Sequence, residues 1–303
     1  MRKAAALGPG ATIRLVSPSS PIPKSKVEAM TALLEAEGYR VECAPHAFEC
    51  EGFLAGLDAN RAHDLNEAFA DPQVDGVLCT RGGYGAARLL PLADLDVWAD
   101  SGKPLIGFSD VTALHLALLR RGRAGIYAPM GITFSVEREP WVYRSFLSAL
   151  RGENPIPNDA PKGQTLVPGT AEGRLVGGCL CLLCDSIGTP DALDTDGRIL
   201  LIEDVDENPH RVDAMLTHLI QSGALRNCRG LIIGEMTGTD DRVDDKIGAL
   251  PWREIVRDRL APLGLPAIID FPCGHMRQML SLPLGLEVRL QADKGVLEYM
   301  EFL

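Results

Sequence analysis

Apolar and polar positions alternate in two rhythms along the first half of the chain. "TIRLVSPSS", from Thr12, reads as a buried strand running into a polar loop, and "KSKVEAMTALLEAEGY" places Val27, Met30, Leu33 and Leu34 on one helix face. "RVECAP" follows as a strand, and "NRAHDLNEAFAD" as a helix. "VDGVLCT" is a strand that opens into a glycine loop, "RGGYGAARLL", feeding a helix. "KPLIGF" is a short apolar strand, and the helix after it carries Val111, Leu114 and Leu118 at helical spacing before Gly122 stops it. Such alternation predicts an α/β fold with a parallel sheet covered by helices on both faces. Active sites of these folds gather at the carboxyl ends of the strands.

The rhythm breaks in "RGENPIPNDAPKGQTLVPGTAEG", which is rich in Pro, Gly and polar residues. The pattern therefore predicts an N-terminal domain over 1–150, a linker over 151–172 and a second domain over 173–303. The second part holds the strand-like "GRLVGG", then "GRILLIEDVDENPHRVDAMLTHLIQSG", the strand "CRGLIIGEMTG", a helix from "PWREIVRDRLAPLG", and short strands and turns to the end.

Composition narrows the function classes. A chain of 303 residues with 46% hydrophobic content can bury a sizeable core. A net charge of −11, with no dense Lys/Arg cluster, argues against a nucleic-acid partner. The apolar stretch Ala4–Leu7 is cut short by Gly8 and Pro9, and no run reaches the 18 or so apolar residues of a membrane span. A soluble, cytoplasmic protein is expected. Eight cysteines in so long a chain do not make a disulfide framework. Three of them, Cys179, Cys181 and Cys184, alternate with leucines in "GGCLCLLC", and read as small hydrophobes in a reducing compartment more readily than as zinc ligands.

Four groups carry candidate chemistry, each at a predicted strand end. Ser109 follows the "KPLIGF" strand at the first turn of a helix. There it is either a plain N-cap, the simpler reading taken alone, or a nucleophile on a sharp turn, although "GFSDV" lacks the second glycine of G-x-S-x-G. The loop from Thr80 lets backbone approach a ligand closely, without the spacing of a phosphate or dinucleotide motif. "IEDVDE" supplies four carboxylates, Glu203, Asp204, Asp206 and Glu207, either as a solvated loop or as the acid that orients a histidine. Among six histidines, His63, His115 and His218 lie inside predicted helices, and His210 falls in the first turn of a helix capped by Asn208 with Pro209 at N1. His275, after Gly274 in a turn-rich loop, stands where catalytic side chains tend to sit.

Five blocks in order, "RGGYGAARLLP", "LIGFSDVTAL", "GRLVGG", "LLIEDVDENPHRVDAMLTHLIQSGAL" and "GHMRQMLSLPLG", resemble the LD-carboxypeptidases of murein recycling. That serine peptidase family also includes the microcin C immunity peptidases. The resemblance implies an N-terminal half similar to class I glutamine amidotransferases, a smaller β-rich C-terminal domain, a common dimeric state, and no metal or other cofactor. It also implies Ser109 as nucleophile, Glu203 as charge-relay acid and His275 as base. The backbone N–H groups of Asp110 and Gly83 are expected at the oxyanion, and Arg81 and Gly82 at the substrate. The implied substrate is a murein tetrapeptide losing its terminal D-alanine. The alternatives are an aminoacyl-nucleotide conjugate and, from another class, a two-domain binding protein without catalysis. One position departs from the family pattern: relatives usually carry Asn where "GGCL" has Cys179.

Overall fold

The structure, a computed structural model, describes residues 1–243, 246 and 250–303. Two compact units divide the chain. One holds 1–157, 280–285 and 302–303; the other holds 158–279 and 286–301.

The first unit is built on the predicted parallel sheet. Its strands are β1 (Thr12–Val16), β2 (Arg40–Cys43), β3 (Gly76–Cys79), β4 (Leu105–Gly107) and β5 (Gly125–Tyr127). They lie in the order β2-β1-β3-β4-β5, all parallel. Central strands must be apolar on both faces, and β3, β4 and β5 are buried at every residue. Helix Glu28–Ala36 turns Met30 and Leu34 onto the core formed with Ile13, Leu15, Leu78 and Ile106. This strand order reverses direction at β1 and β3, so the polypeptide leaves their carboxyl ends toward opposite sides and opens a crevice there. The loops Ser17–Ser20 and Thr80–Gly85 line that end of the sheet.

The second unit carries β6 (Gln164–Val167), β7 (Thr170–Cys179), β8 (Ile199–Val205), β9 (Gly230–Thr237) and β10 (Ala267–Ile269). β7, β8, β9 and β10 run parallel, and β6 closes one edge antiparallel to β10. After β10 the chain forms β11 (Leu282–Leu284), β12 (Glu287–Gln291) and β13 (Val296–Tyr299). β12 and β13 extend the second sheet beyond β7, whereas β11 belongs to the first unit, antiparallel to β5. Helix Pro209–Gln221 begins as the sequence predicts, with Pro209 at N1 after Asn208.

Three local expectations change. The segment read as a linker contains β6 and the start of β7, because Gln164–Val167 finds its partner a hundred residues downstream, beyond the reach of local patterning. The glycine loop feeds a 3-10 helix, Ala86–Leu92, instead of an α-helix; Pro91 inside it lacks the N–H an α-helix would use. The segment after β4 also starts as 3-10, at Ser109–Val111, before the α-helix Thr112–Arg120.

Candidate active site

Ser109, Asp110, Arg81, Gly82 and Gly83 belong to the first unit, Glu203 and His275 to the second. At the end of β4, Ser109 adopts φ +65°, a left-handed conformation that a serine rarely takes. Phe108 occupies the cap position, with no side-chain cap bond, so the N-cap reading of Ser109 does not apply. Strain of this kind costs on the order of 1–3 kcal/mol and persists only where the surroundings enforce it. Here Tyr127, buried at the end of β5, accepts the Ser109 N–H through its hydroxyl at 3.3 Å. His115 holds the strand behind it, its Nε2 donating to the Gly107 carbonyl at 2.9 Å. Complete burial lowers its pKa to about 4, so the ring is neutral at physiological pH and Nε2 carries the proton.

The glycine loop runs against this turn. A Cβ on Gly82 would lie 2.9 Å from Ser109 Cβ, 3.0 Å from its Oγ and 3.3 Å from the Asp110 nitrogen. Gly83, at φ +116°, passes Ser20 as closely. The loop is fastened from below by the Asp110 carboxylate, which accepts from Ser19 Oγ at 2.6 Å and from the Ala86 N–H at 2.8 Å. Burial raises its pKa, against those two bonds and the Arg61 charge. Arg61, itself buried, donates to the carbonyls of Pro18 and Gly85. Arg81, expected at the substrate, gives Nε to the Gly82 carbonyl and Nη1 to that of Pro21, both at 3.2 Å.

In the second unit the acid and the imidazole meet. Glu203, fully buried near the end of β8, accepts the His275 N–H at 3.1 Å and Nδ1–H at 2.7 Å on the same Oε2. With Nδ1 donating, Nε2 carries the ring's lone pair. Burial disfavours the imidazolium, but the Glu203 charge and hydrogen bond outweigh it, with Asp204 and Asp206 adding, and the His275 pKa is raised. The room for this contact comes from two glycines. A Cβ on Gly274 (φ +107°) would stand 2.3 Å from Glu203 Oε2, and one on Gly234 only 2.4 Å from the Cys273 carbonyl. A bulge between β8 and β9, where Ile202 pairs Ile233 but Asp204 pairs Met236, falls at Glu203.

The acidic run divides accordingly. Glu203 and Asp204 are buried, while Asp206 is exposed. Asp204 accepts from the Cys181 N–H at 2.9 Å, the Val205 N–H at 2.8 Å and Cys179 Sγ at 3.3 Å, and burial carries its pKa to about 6. The ligand atoms of Cys179, Cys181 and Asp204 all lie within 4.8 Å of one another, close enough that they could hold a metal ion. The helical His63, His210 and His218 are exposed and stand apart from these contacts.

Each unit matches a known domain. Residues 13–128 match the model of the LD-carboxypeptidase N-terminal domain, and residues 172–290 that of the LD-carboxypeptidase C-terminal domain. The chain belongs to the LD-carboxypeptidase family. It is 30% identical to the murein tetrapeptide carboxypeptidase of Pseudomonas aeruginosa, over 93% of this chain and 94% of that one. The muramoyltetrapeptide carboxypeptidase of Oxalobacter formigenes superposes with a TM-score of 0.82 at 28% identity, covering 95% of this chain and 97% of that one. The microcin C7 self-immunity protein shares the fold, with a TM-score of 0.88 at 24% identity over the full length of both chains. Family membership makes this chain a peptidase. No helix among the described residues is long and apolar enough to cross a membrane.

Proposed function

We propose that the protein is a serine carboxypeptidase that removes the terminal D-alanine of murein tetrapeptides. The observation that carries the serine mechanism is the φ of +65° at Ser109, with Gly82 pressed against its side chain. In this reading His275 Nε2 takes the Ser109 proton as Oγ attacks the peptide carbonyl. Glu203 holds the ring and stabilises its charged form. The N–H groups of Asp110 and Gly83 meet the oxyanion, a contact whose loss typically costs about 100- to 1,000-fold in rate. Collapse of the tetrahedral adduct passes a proton from His275 to the departing D-alanine nitrogen, and water then hydrolyses the acyl-enzyme by the reverse route. The murein substrate is carried over from the Pseudomonas and Oxalobacter relatives, and a homodimer is part of the proposal.

A second reading, cleavage of an aminoacyl-nucleotide conjugate, draws on one feature. Phe53 and Tyr84, 65% and 55% exposed, stand with ring centroids 5.7 Å apart, and Tyr84 belongs to the glycine loop. Exposed paired rings suit a flat base. Incubation with tetrapeptides of L,D and L,L linkage and with an aminoacyl-sulfamoyl nucleoside, followed by mass spectrometry, separates the readings. Release of D-alanine, with the L,L isomer turned over roughly 100-fold more slowly, supports the first. Equal rates on both isomers, or faster cleavage of the nucleoside, sinks it. A third possibility, binding without catalysis, predicts no turnover of any of them and no labelling of Ser109 by a phosphonate.

A further inference from the structure

We propose that Cys179, Cys181 and Asp204 bind one thiophilic divalent cation of the zinc class, at a site beside Glu203 that uses none of the proposed hydrolytic side chains. The two cysteines are adjacent in sequence but for one leucine, and the aspartate arrives from the neighbouring strand. β7 and β8 pair in parallel with Cys179 opposite Glu203, so Asp204 comes next along β8. Cys179 Sγ lies 3.4 Å from Cys181 Sγ and 3.3 Å from Asp204 Oδ1, and the ligand atoms of all three residues fall within 4.8 Å of one another. A tetrahedral zinc ion with Zn–S of about 2.3 Å and Zn–O of about 2.0 Å separates two sulfurs by about 3.8 Å, and a sulfur from an oxygen by about 3.5 Å. The two distances from Cys179 Sγ therefore need to grow by only about half an ångström or less to close on such an ion.

The surroundings are those of a built site. Cys179 and Asp204 are 2% and 1% exposed, and the carboxylate is held in place by the N–H groups of Val205 and Cys181. Cys181 is half-buried, which gives the ion a way in and leaves room for a water as fourth ligand. The charge also balances. On binding, each thiol releases its proton to solvent and each thiolate bonds the metal, while Asp204 Oδ1 exchanges the Cys179 S–H for a metal–oxygen bond. A dication replaces two protons, and the cluster keeps its net charge in an interior where extra charge is expensive. The hydrogen bond with Cys181, burial, and the Glu203 and Asp204 carboxylates together hold the Cys179 thiol protonated, and a metal cation supplies the counter-charge that lets it ionise. Two sulfurs favour zinc, cobalt or cadmium over magnesium or calcium.

The test uses Co²⁺ added to the full chain. Uptake of one equivalent is expected, with a thiolate-to-cobalt charge-transfer band in the near ultraviolet, release of about two protons per ion, and displacement by Zn²⁺ but not by Mg²⁺. Cys181→Ser should weaken binding at least tenfold and diminish the band, and the Cys179→Ser/Cys181→Ser double variant should abolish it. Circular dichroism checks that each variant folds; Cys181→Ser, altered on the accessible side, decides the matter if the double variant does not. No band in the unaltered protein overturns the proposal, as does a band that survives Cys181→Ser unchanged but is lost in Cys184→Ser. All these readouts are independent of peptidase activity, and the same titration on Ser109→Ala should match that of the unaltered protein.

Discussion

Gly82 has no side chain, and Ser109 fills the space one would take. Gly82→Ala adds a methyl group 2.9 Å from Ser109 Cβ at a position whose backbone an alanine accepts without left-handed strain. The serine must give way. Misplacing a nucleophile by about 1 Å costs roughly 100-fold in kcat, so a drop of that order is expected with the melting temperature nearly unchanged; equal loss of both would mark Gly82 as merely structural. The acid is tested by pH. A base must be neutral to accept a proton, and the His275 pKa is raised. The acid limb of kcat/KM should therefore lie above the ordinary histidine value of about 6.5. Glu203→Gln removes the charge that raises it while burial continues to push it down. The limb should move to lower pH as kcat falls by about 10⁴-fold, and a limb that stays in place would detach Glu203 from His275. Much of this was legible in the chain: Ser109, Glu203 and His275 each stand out at a predicted strand end. The φ of Ser109 was not, because a serine before a helix writes the same letters whether it caps the helix or begins it in a strained turn.

Among the elements, β4 and the helix behind it carry the serine, and His115 ties them together through the Gly107 carbonyl. Its folded pKa of about 4 lies below the 6.5 of an open histidine. Unfolded chains thus bind the proton more readily, and stability present above pH 6.5 is lost as pH falls toward 4, by an amount on the order of 3 kcal/mol. His115→Gln keeps a donor for Gly107 but takes up no proton. Urea denaturation at pH 7 and pH 4.5 should show a smaller difference for the variant than for the parent; an identical difference would locate the acid sensitivity elsewhere. Alternation of strand and helix patterns announced four of the five parallel strands of the first sheet; β5, only three residues long, gave no pattern of its own. The edge pairings escaped it. β6 lies in a polar, proline-rich stretch that reads as a linker until Ala267–Ile269 pairs with it, and the burial of Asp204 follows from strand register, which an acidic run does not reveal.

For the molecule as a whole, hydrolysis in the proposed mechanism uses serine, imidazole and carboxylate alone. Dialysis against a chelator should leave the rate unchanged, and a loss restored by zinc would require a different mechanism. Connectivity has a further consequence, for biogenesis. β11 is made after almost all of the second unit, yet its place is beside β5 in the first. At a synthesis rate of 5–20 residues per second, the roughly 150 residues between them take on the order of ten to thirty seconds to leave the ribosome. Through that interval the edge of β5 waits on the nascent chain with its hydrogen-bonding groups unpaired, the situation in which foreign strands attach. The first unit completes its sheet only after most of the second has been made, so a ribosome stalled in the second unit leaves behind a first unit that is open along one side.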